Sequence, residues 1–193
     1  MKIRAAATAA ITLTALLVLA GCASSTTSGG MGDSPGMGAS ASAVDVNDAD
    51  IQFTTMMIPH HEGAVEMADA ILAKDDIDED VTALAEQIKA AQAPEIEMMQ
   101  SWLDDWGADM GGMSGMDHGM MSDTDMQALE DASGDEASKL FLEQMIEHHE
   151  GAIDMAQTEV DNGQNPDAIE LAQNIITSQT AEIATMEDML ANL

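Results

Sequence analysis

The chain has 193 residues, of which 46% are hydrophobic, and it carries a formal net charge of −31 at pH 7. This length and apolar content suffice for one domain with a core, whereas the negative charge excludes a protein that binds nucleic-acid phosphates. Only 2% of the residues are aromatic, while 18 are methionine. A composition poor in aromatic residues and rich in Ala, Met, Leu, Glu and Asp favours helices over a large β-sheet.

The first segment, residues 1–21, is typical of an export signal. Lys2 and Arg4 precede an apolar stretch too short to span a membrane, and "LAGC" at positions 19–22 resembles a bacterial lipobox. We therefore expect cleavage before Cys22 and an extracytoplasmic protein, anchored by lipid alone on the periplasmic or cell-surface side. The alternative is an ordinary secretory signal with an incidental cysteine. Because Cys22 is the only cysteine, the folded part has no disulfide and no thiolate ligand.

Four helices are predicted after a flexible, Gly- and Ser-rich tether at residues 22–46. A Met-, Gly- and His-rich linker at residues 107–133 separates the second helix from the third. The N-cap signals are an Asn or Asp at the first helix, a Ser/Glu capping-box spacing at the third, and Asn-Pro at the fourth. The first helix is expected to run from Asn47 or Asp48 to about Lys74, and the second from about Val81 to Trp106. The third is expected to start at Ser133, with Glu136 at the capping-box position, and the fourth at Asn165, which Pro166 follows.

The helices form two copies of one hairpin. The segment "MIPHHEGAVEMA" at residues 57–68 returns as "MIEHHEGAIDMA" at residues 145–156, and each is followed by a helix containing Gln-x-x-Glu-Ile-x-x-Met. Counterparts lie 88 positions apart in the first helix of each copy and 87 apart in the second. A single hairpin cannot cover its own apolar stripe. We therefore predict an all-α four-helix bundle, domain 47–193, built from hairpins 47–106 and 134–193.

The paired histidines are predicted to point into the core of this bundle. At 100° per residue they share a helix face with apolar neighbours and lie opposite Glu62, Glu66 and Asp69. An acid and an amide on the next helix of each hairpin also point inward, at about the same height as the histidines. The predicted polar layer consists of His60, His61, His148, His149, Glu95, Glu182, Gln92 and Gln179.

Three interpretations of this layer remain open. A hydrogen-bonded layer of Glu and His would fix the register of a helical surface interaction module and bind nothing. A ferritin-like di-metal oxidase site would need an acid three residues before each histidine, but Met57 and Met145 precede His60 and His148 at that spacing. Thioether and imidazole groups on adjacent turns would bind copper, with Cu(I) preferred by the thioethers and Cu(II) also accepted by imidazole.

Methionines in the linker favour the copper interpretation. They have almost nothing apolar around them in the sequence, so core packing does not explain them, although compositional drift is the alternative. They predict a weak, exchangeable metal site outside the bundle. Its members are Met110, Met113, Met116, His118, Met120 and Met121.

The repeated His-His-x-Gly-Ala-x-x-Met-Ala helix resembles the signature of a bacterial secreted family known as domain of unknown function 305, over about residues 49–193. The resemblance implies a ferritin-like four-helix fold, an extracytoplasmic location and, in some members, copper binding by Met and His in copper tolerance. Pro59 stands where Glu147 stands in the second copy, so a kink is expected that would make two sites unequal. The ligand positions implied by the resemblance are Met57, His60, His61, Met67 and Met99, and Met145, His148, His149, Met155 and Met186.

We therefore expect an extracytoplasmic copper store, buffer or handover protein rather than an enzyme. The sequence shows no nucleophile and base arrangement and no phosphate-cradling loop, and oxidation of Cu(I) is the one enzymatic route left open. The expected partners are copper ions and a copper exporter, chaperone or oxidase, with no nucleic acid. The acidic surface would raise the local concentration of cations without selecting the metal.

Overall fold

The computed structural model describes residues 45–108 and 121–193, and these residues form five α-helices without a strand. The predicted all-α class is confirmed. The helices are α1 (Asp48–Leu72), α2 (Glu79–Trp106), α3 (Asp123–Asp131), α4 (Gly134–Asn162) and α5 (Pro166–Leu190). Several sequence predictions concern residues outside the described ranges, namely the export signal, Cys22, the tether up to residue 44, and Met110, Met113, Met116, His118 and Met120 of the linker.

Asparagine side chains cap two of the helices where the sequence predicted them. Asn47 Oδ1 accepts hydrogen bonds from two backbone N–H groups at the start of α1, and Asn165 Oδ1 does the same at α5. Ser133 is the N-cap of α4, but its side chain makes no capping hydrogen bond, so the predicted capping box with Glu136 does not form. The reason is the turn into α4, in which Gly134 adopts a left-handed φ of 58° that a regular first turn does not allow.

The helices pack as two hairpins that meet through their first members. α1 packs against α2, α4 packs against α5, and α1 also packs against α4. The α1–α4 contact is antiparallel. Asp50 Oδ1, near the start of α1, accepts from the backbone of Asn165 just after α4 at 2.8 Å. At the other end, the Asp78 N–H after α1 donates to Ser138 Oγ near the start of α4 at 3.3 Å.

The apolar side chains form two buried clusters. One contains Phe53 and Ile175, together with Met57, Met99 and Met155, and is called the first methionine cluster. The other contains Phe141 and Ile88, together with Met67, Met145 and Met186, and is called the second methionine cluster. Along α1 and along α4 the paired histidines lie between a methionine of one cluster and a methionine of the other. A polar layer therefore separates two sulfur-containing cores.

The short helix α3 lies where the sequence analysis predicted only a linker. Its nine residues are too few for a helix that is stable alone, so tertiary contacts must hold it. Leu129 is fully buried in the second methionine cluster. The Lys74 ammonium donates to the carbonyl oxygens of Glu130 and Ala132 at 2.7 and 2.8 Å, which satisfies the end of the helix. α3 thus covers one side of the α1–α4 contact.

Proline occurs inside both helices of the first hairpin. α1 continues through Pro59 and α2 continues through Pro94. Pro59 therefore does not end α1. Of the helices in residues 45–108 and 121–193, none combines the length and the apolar character that a membrane crossing requires.

Candidate metal centre

The four paired histidines are buried in one layer where α1 meets α4. The imidazole rings of His60 and His148, which are counterparts in the repeat, lie 3.6 Å apart between centroids and are tilted by 40°. The rings of His148 and His149 lie 6.4 Å apart. The two hairpins therefore contribute to a single histidine layer.

His61 and His149, called the outer histidines, are each hydrogen-bonded to a glutamate on the neighbouring helix of the same hairpin. Glu95 Oε2 lies 2.8 Å from His61 Nε2, and Glu182 Oε2 lies 2.7 Å from His149 Nε2. The sequence placed Glu95 and Glu182 at the right height but did not identify which histidine of each pair they bind. The Glu95 and Glu182 side chains are 27% and 14% exposed, so each carboxylate joins the buried layer to the surface.

These hydrogen bonds determine which nitrogen of each outer histidine is available to a ligand. A carboxylate only accepts hydrogen bonds, so Nε2 of His61 and of His149 carries the proton in the neutral ring. The lone pair is then on Nδ1, and neither Nδ1 atom has a hydrogen-bond partner within the described residues. A carboxylate that orients an imidazole and leaves its other nitrogen available is a common outer shell of metal sites.

His148 is held in the neutral form that metal binding requires. Burial lowers its pKa well below the usual value of 6.5, and the neighbouring His60, His149 and His61 lower it further. The backbone of His60 offsets part of this effect. At neutral pH the His148 ring therefore keeps a nitrogen lone pair.

Two glutamines complete the polar layer that the sequence predicted. Gln92 on α2 and Gln179 on α5 are both buried. The side-chain oxygen of each lacks a hydrogen-bond partner in the part of the chain that the structure describes. An unpaired buried amide oxygen costs about 1–3 kcal/mol, so both oxygens favour a further donor or a cation nearby.

The candidate methionines on the four long helices are all buried, but the structure groups them differently from the sequence repeat. The repeat suggested one set of methionines in each hairpin. In the structure Met155, from the second hairpin, belongs to the first methionine cluster, and Met67, from the first hairpin, belongs to the second. Each cluster combines two methionines of one hairpin with one of the other. The reason is the antiparallel contact of α1 with α4, which a repeat within each hairpin does not reveal.

Only one of the candidate linker residues lies in the described ranges. Met121 is partly buried and packs against the second methionine cluster next to α3. It therefore has a packing role that the sequence analysis did not foresee. Among residues 45–108 and 121–193, no three His, Cys, Asp or Glu side chains are grouped closely enough to hold a metal ion by themselves.

A buried pair of acids lies outside the histidine layer and was missed. Glu159 is buried on α4 beside Asp50 of α1. Burial and the neighbouring Asp50 carboxyl group raise the pKa of Glu159 to about 8. Burial alone would raise the pKa of Asp50, but hydrogen bonds from the backbone N–H groups of Asn47, Asn165 and Gln164 help to lower it overall. Comparison of the two repeat copies could have identified Glu159, because its counterpart in the first copy is the apolar Ile71.

Comparison with known proteins identifies the family. The sequence profile of the family described as "Domain of unknown function (DUF305)" matches residues 50–190, and the chain belongs to this family. A DUF305 fragment from Deinococcus radiodurans is 30% identical, with a TM-score of 0.71 over 77% of this chain and 99% of that one. A DUF305 protein from Streptomyces coelicolor, described as a candidate secreted protein, is 35% identical, with a TM-score of 0.71 over 75% and 91%. No curated protein sequence matches the chain.

A third similar structure is that of CopM. In its Cu(I)-bound form CopM is 33% identical to this chain, with a TM-score of 0.65 over 74% of this chain and 96% of CopM. CopM has also been solved in Cu(II)-bound and Ag-bound forms. The resemblance to the DUF305 family that the repeated motif indicated is confirmed by these matches.

Proposed function

We propose that this protein binds copper outside the cytoplasm, as a store, buffer or handover protein in copper tolerance, and that it has no catalytic role. The ligands would be imidazole nitrogens of the histidine layer and thioether sulfurs of the two methionine clusters. The four long helices would form a ferritin-like bundle around them. The copper-bound forms of CopM, at about a third sequence identity, support the choice of metal.

The observation that carries this proposal is the available Nδ1 atom of His61 and of His149. Each outer histidine is oriented by a glutamate through Nε2, and its Nδ1 has no partner in the described part of the chain. A layer that served only to fix the helix register would be expected to satisfy both nitrogens of a buried ring. The unpaired nitrogens therefore favour a binding role over a purely structural interaction module.

The chemistry of the layer favours a soft metal ion over a di-iron or di-manganese centre. Carboxylate-bridged centres need several oxygen ligands, but Glu95 and Glu182 are each engaged with a different histidine. The buried groups on both sides of the layer are thioethers, which prefer Cu(I). Imidazole accepts either oxidation state of copper, so Cu(II) binding through the histidines is compatible with the same layer.

Titration of the purified domain with Cu(I), against the chelator bicinchoninate, tests this function. We expect tight binding of Cu(I) and far weaker binding of Fe(II) and Mn(II), because thioethers discriminate against hard cations. Uptake of Cu(I) by the protein is followed by the loss of absorbance of the coloured Cu(I)–bicinchoninate complex. Binding of Fe(II) or Mn(II) as tight as that of Cu(I) would contradict the soft-ligand site.

A looser copper site in the linker is part of the same proposal. Met110, Met113, Met116 and Met120, with His118, precede α3 in the sequence. Thioethers in a polar stretch would bind Cu(I) without the burial that makes a site tight and slow to exchange. Met121 is better assigned to packing, because it contacts the second methionine cluster.

Lipid attachment at Cys22 would hold the protein at the membrane and near a copper exporter, chaperone or oxidase. If Cys22 is the acylation site, Cys22→Ser should leave the precursor unprocessed and without lipid, because serine offers no thiol to acylate. Metabolic labelling with a radioactive fatty acid and fractionation of membranes measure this. A wild-type protein that is secreted without lipid would refute the anchor and leave copper binding untouched.

A further inference from the structure

An open groove lies between α1 and α4 at the end of the molecule that contains the first methionine cluster. It encloses a cavity of about 220 Å³, and its wall includes Phe53, Met56 and Met155. Two acids, Asp154 and Glu159, also line it. The groove therefore combines two thioethers with the acidic side chain of Asp154, which attracts cations, whereas Glu159 keeps its proton at neutral pH.

The corresponding groove on the other side of the α1–α4 contact is covered by α3. Leu129 of α3 is fully buried there, and the side-chain amide of Gln144 donates to the carbonyl oxygen of Asp125 at 3.0 Å. In the sequence repeat the counterpart of Leu129 is the small residue Ala41, which lies outside the described residues. Counterparts in the open and covered grooves are Phe53 and Phe141, Met56 and Gln144, Met155 and Met67, and Glu159 and Ile71.

This difference leaves two methionines, Met56 and Met155, in the wall of the open groove. Met155 is 7% exposed, whereas its counterpart Met67 is completely buried. Met56 is half-buried, and the Gln52 amide donates to its sulfur at 3.6 Å, which places that sulfur at the groove. Under α3 the counterpart of Met56 is Gln144, so the repeat provides no thioether at this position of the covered groove.

The position of Met155 connects the groove to the interior. The same side chain lines the cavity and belongs to the first methionine cluster, which also contains Met57 and Met99. A Cu(I) ion held by Met56 and Met155 could pass inward by exchanging the outer thioether for an inner one. No change in protonation or oxidation state is needed for such a transfer, because all the sulfur ligands are neutral.

We infer that this groove is the loading site for Cu(I), in which the thioethers of Met56 and Met155 take the ion before it reaches the buried layer. The inference rests on the proposed copper-binding function and adds a site and a direction to it. Met56 is the critical residue, because it packs against the outside of the first methionine cluster without being buried in it, it lines the groove, and its covered counterpart is not a sulfur ligand.

The test compares Met56→Leu with Met98→Leu. Each variant loses one exposed or half-buried sulfur while keeping a side chain of similar size, and Met98 lies on α2 outside the groove. Transfer of Cu(I) from its bicinchoninate complex is followed by stopped-flow absorbance. We expect M56L to load at least several-fold more slowly than wild type and M98L to load at the wild-type rate. Equal rates for M56L and M98L would overturn the inference while the copper-binding function stands.

A second measurement locates the ion directly. In protein labelled with ¹³C at the methionine methyl groups, excess Ag(I) should shift the Met56 signal further than the Met98 signal, because Met56 has a second thioether nearby. An unmoved Met56 signal would also overturn the loading site. If wild-type protein takes up neither Cu(I) nor Ag(I), the proposed function fails and the inference fails with it.

Discussion

Replacing all four paired histidines with alanine is expected to abolish tight Cu(I) binding. The layer that these residues form is the only place in the described ranges where imidazoles from α1 and α4 meet. Removing them eliminates the nitrogen ligands while leaving both methionine clusters. The measurement is competitive titration against bicinchoninate. The matched control is His118→Ala, which removes the fifth histidine of the chain and should leave the tight sites unchanged.

The glutamates provide a milder version of the same experiment, which is needed because four alanines also leave cavities in the core. Glu95→Gln and Glu182→Gln keep the volume of the side chain but remove the carboxylates that orient His61 and His149. Loss of such an outer-shell partner costs on the order of 10–100-fold in metal affinity. If both glutamine variants and the histidine variant bind Cu(I) as wild type does, the layer is structural.

Glu159→Gln is expected to make the metal-free protein more stable at alkaline pH. The pKa of Glu159 is raised to about 8 in the folded protein, against 4.5 as the ordinary value, so between these values only the folded state holds the proton. Stability should therefore fall as the pH rises through this interval, and the loss is complete above about pH 8. Glutamine cannot ionise, so the variant should lack this loss.

The expected gain in stability of Glu159→Gln is large enough to be measured as a change in Tm. One pKa unit corresponds to about 1.4 kcal/mol, so a gain of at least that amount at pH 9 is expected, which would raise Tm by several degrees. At pH 5 the variant and the wild type should be nearly equal, since both side chains are then neutral in the fold. Glu150→Gln, an exposed change on the same helix, is the control. A pH profile of Tm that is the same for E159Q and wild type would contradict the assignment.

Asp50, the acid partner of Glu159, has the opposite effect, because the stability that it contributes is lost only at low pH. The pKa of Asp50 is lowered below its ordinary 3.8, so its hydrogen bonds to the backbone near Asn165 persist until the solution is strongly acidic. The contribution of Asp50 to stability is fully present above its ordinary pKa of 3.8 and is lost as the pH falls through the lowered pKa. The pair should therefore be most favourable in mildly acidic solution.

The helical fold could be predicted largely from local patterns in the sequence. A period of 3.6 residues identified the buried face of α1, and Asn165 with Pro166 marked the start of α5. α3 could not be predicted in the same way, because its stability depends on the burial of Leu129 against residues distant in sequence. A helix of nine residues is too short to be stable by itself, so tertiary packing decided the structure.

The candidate site was predictable in its residue types but not in its grouping. Helix periodicity placed the histidines and glutamates inside, and hairpin geometry placed them at one height. The grouping of the methionines depends on the register between α1 and α4, which no pattern within either helix specifies. The sequence analysis did not identify Glu159, because it belongs to no repeated polar motif. Comparison with Ile71 in the other copy would have indicated that this position is buried.

The exchange of Met67 and Met155 between the two clusters has a consequence for the origin of the chain. A lone hairpin could build neither cluster, since each needs one sulfur from the other hairpin. Two identical hairpins related by a twofold axis could build both, and His60 would then meet its own symmetry mate, as it now meets His148. The arrangement has the form of an isologous homodimer whose two halves lie in one polypeptide. Glu159, Met56 and α3 mark where the two halves differ.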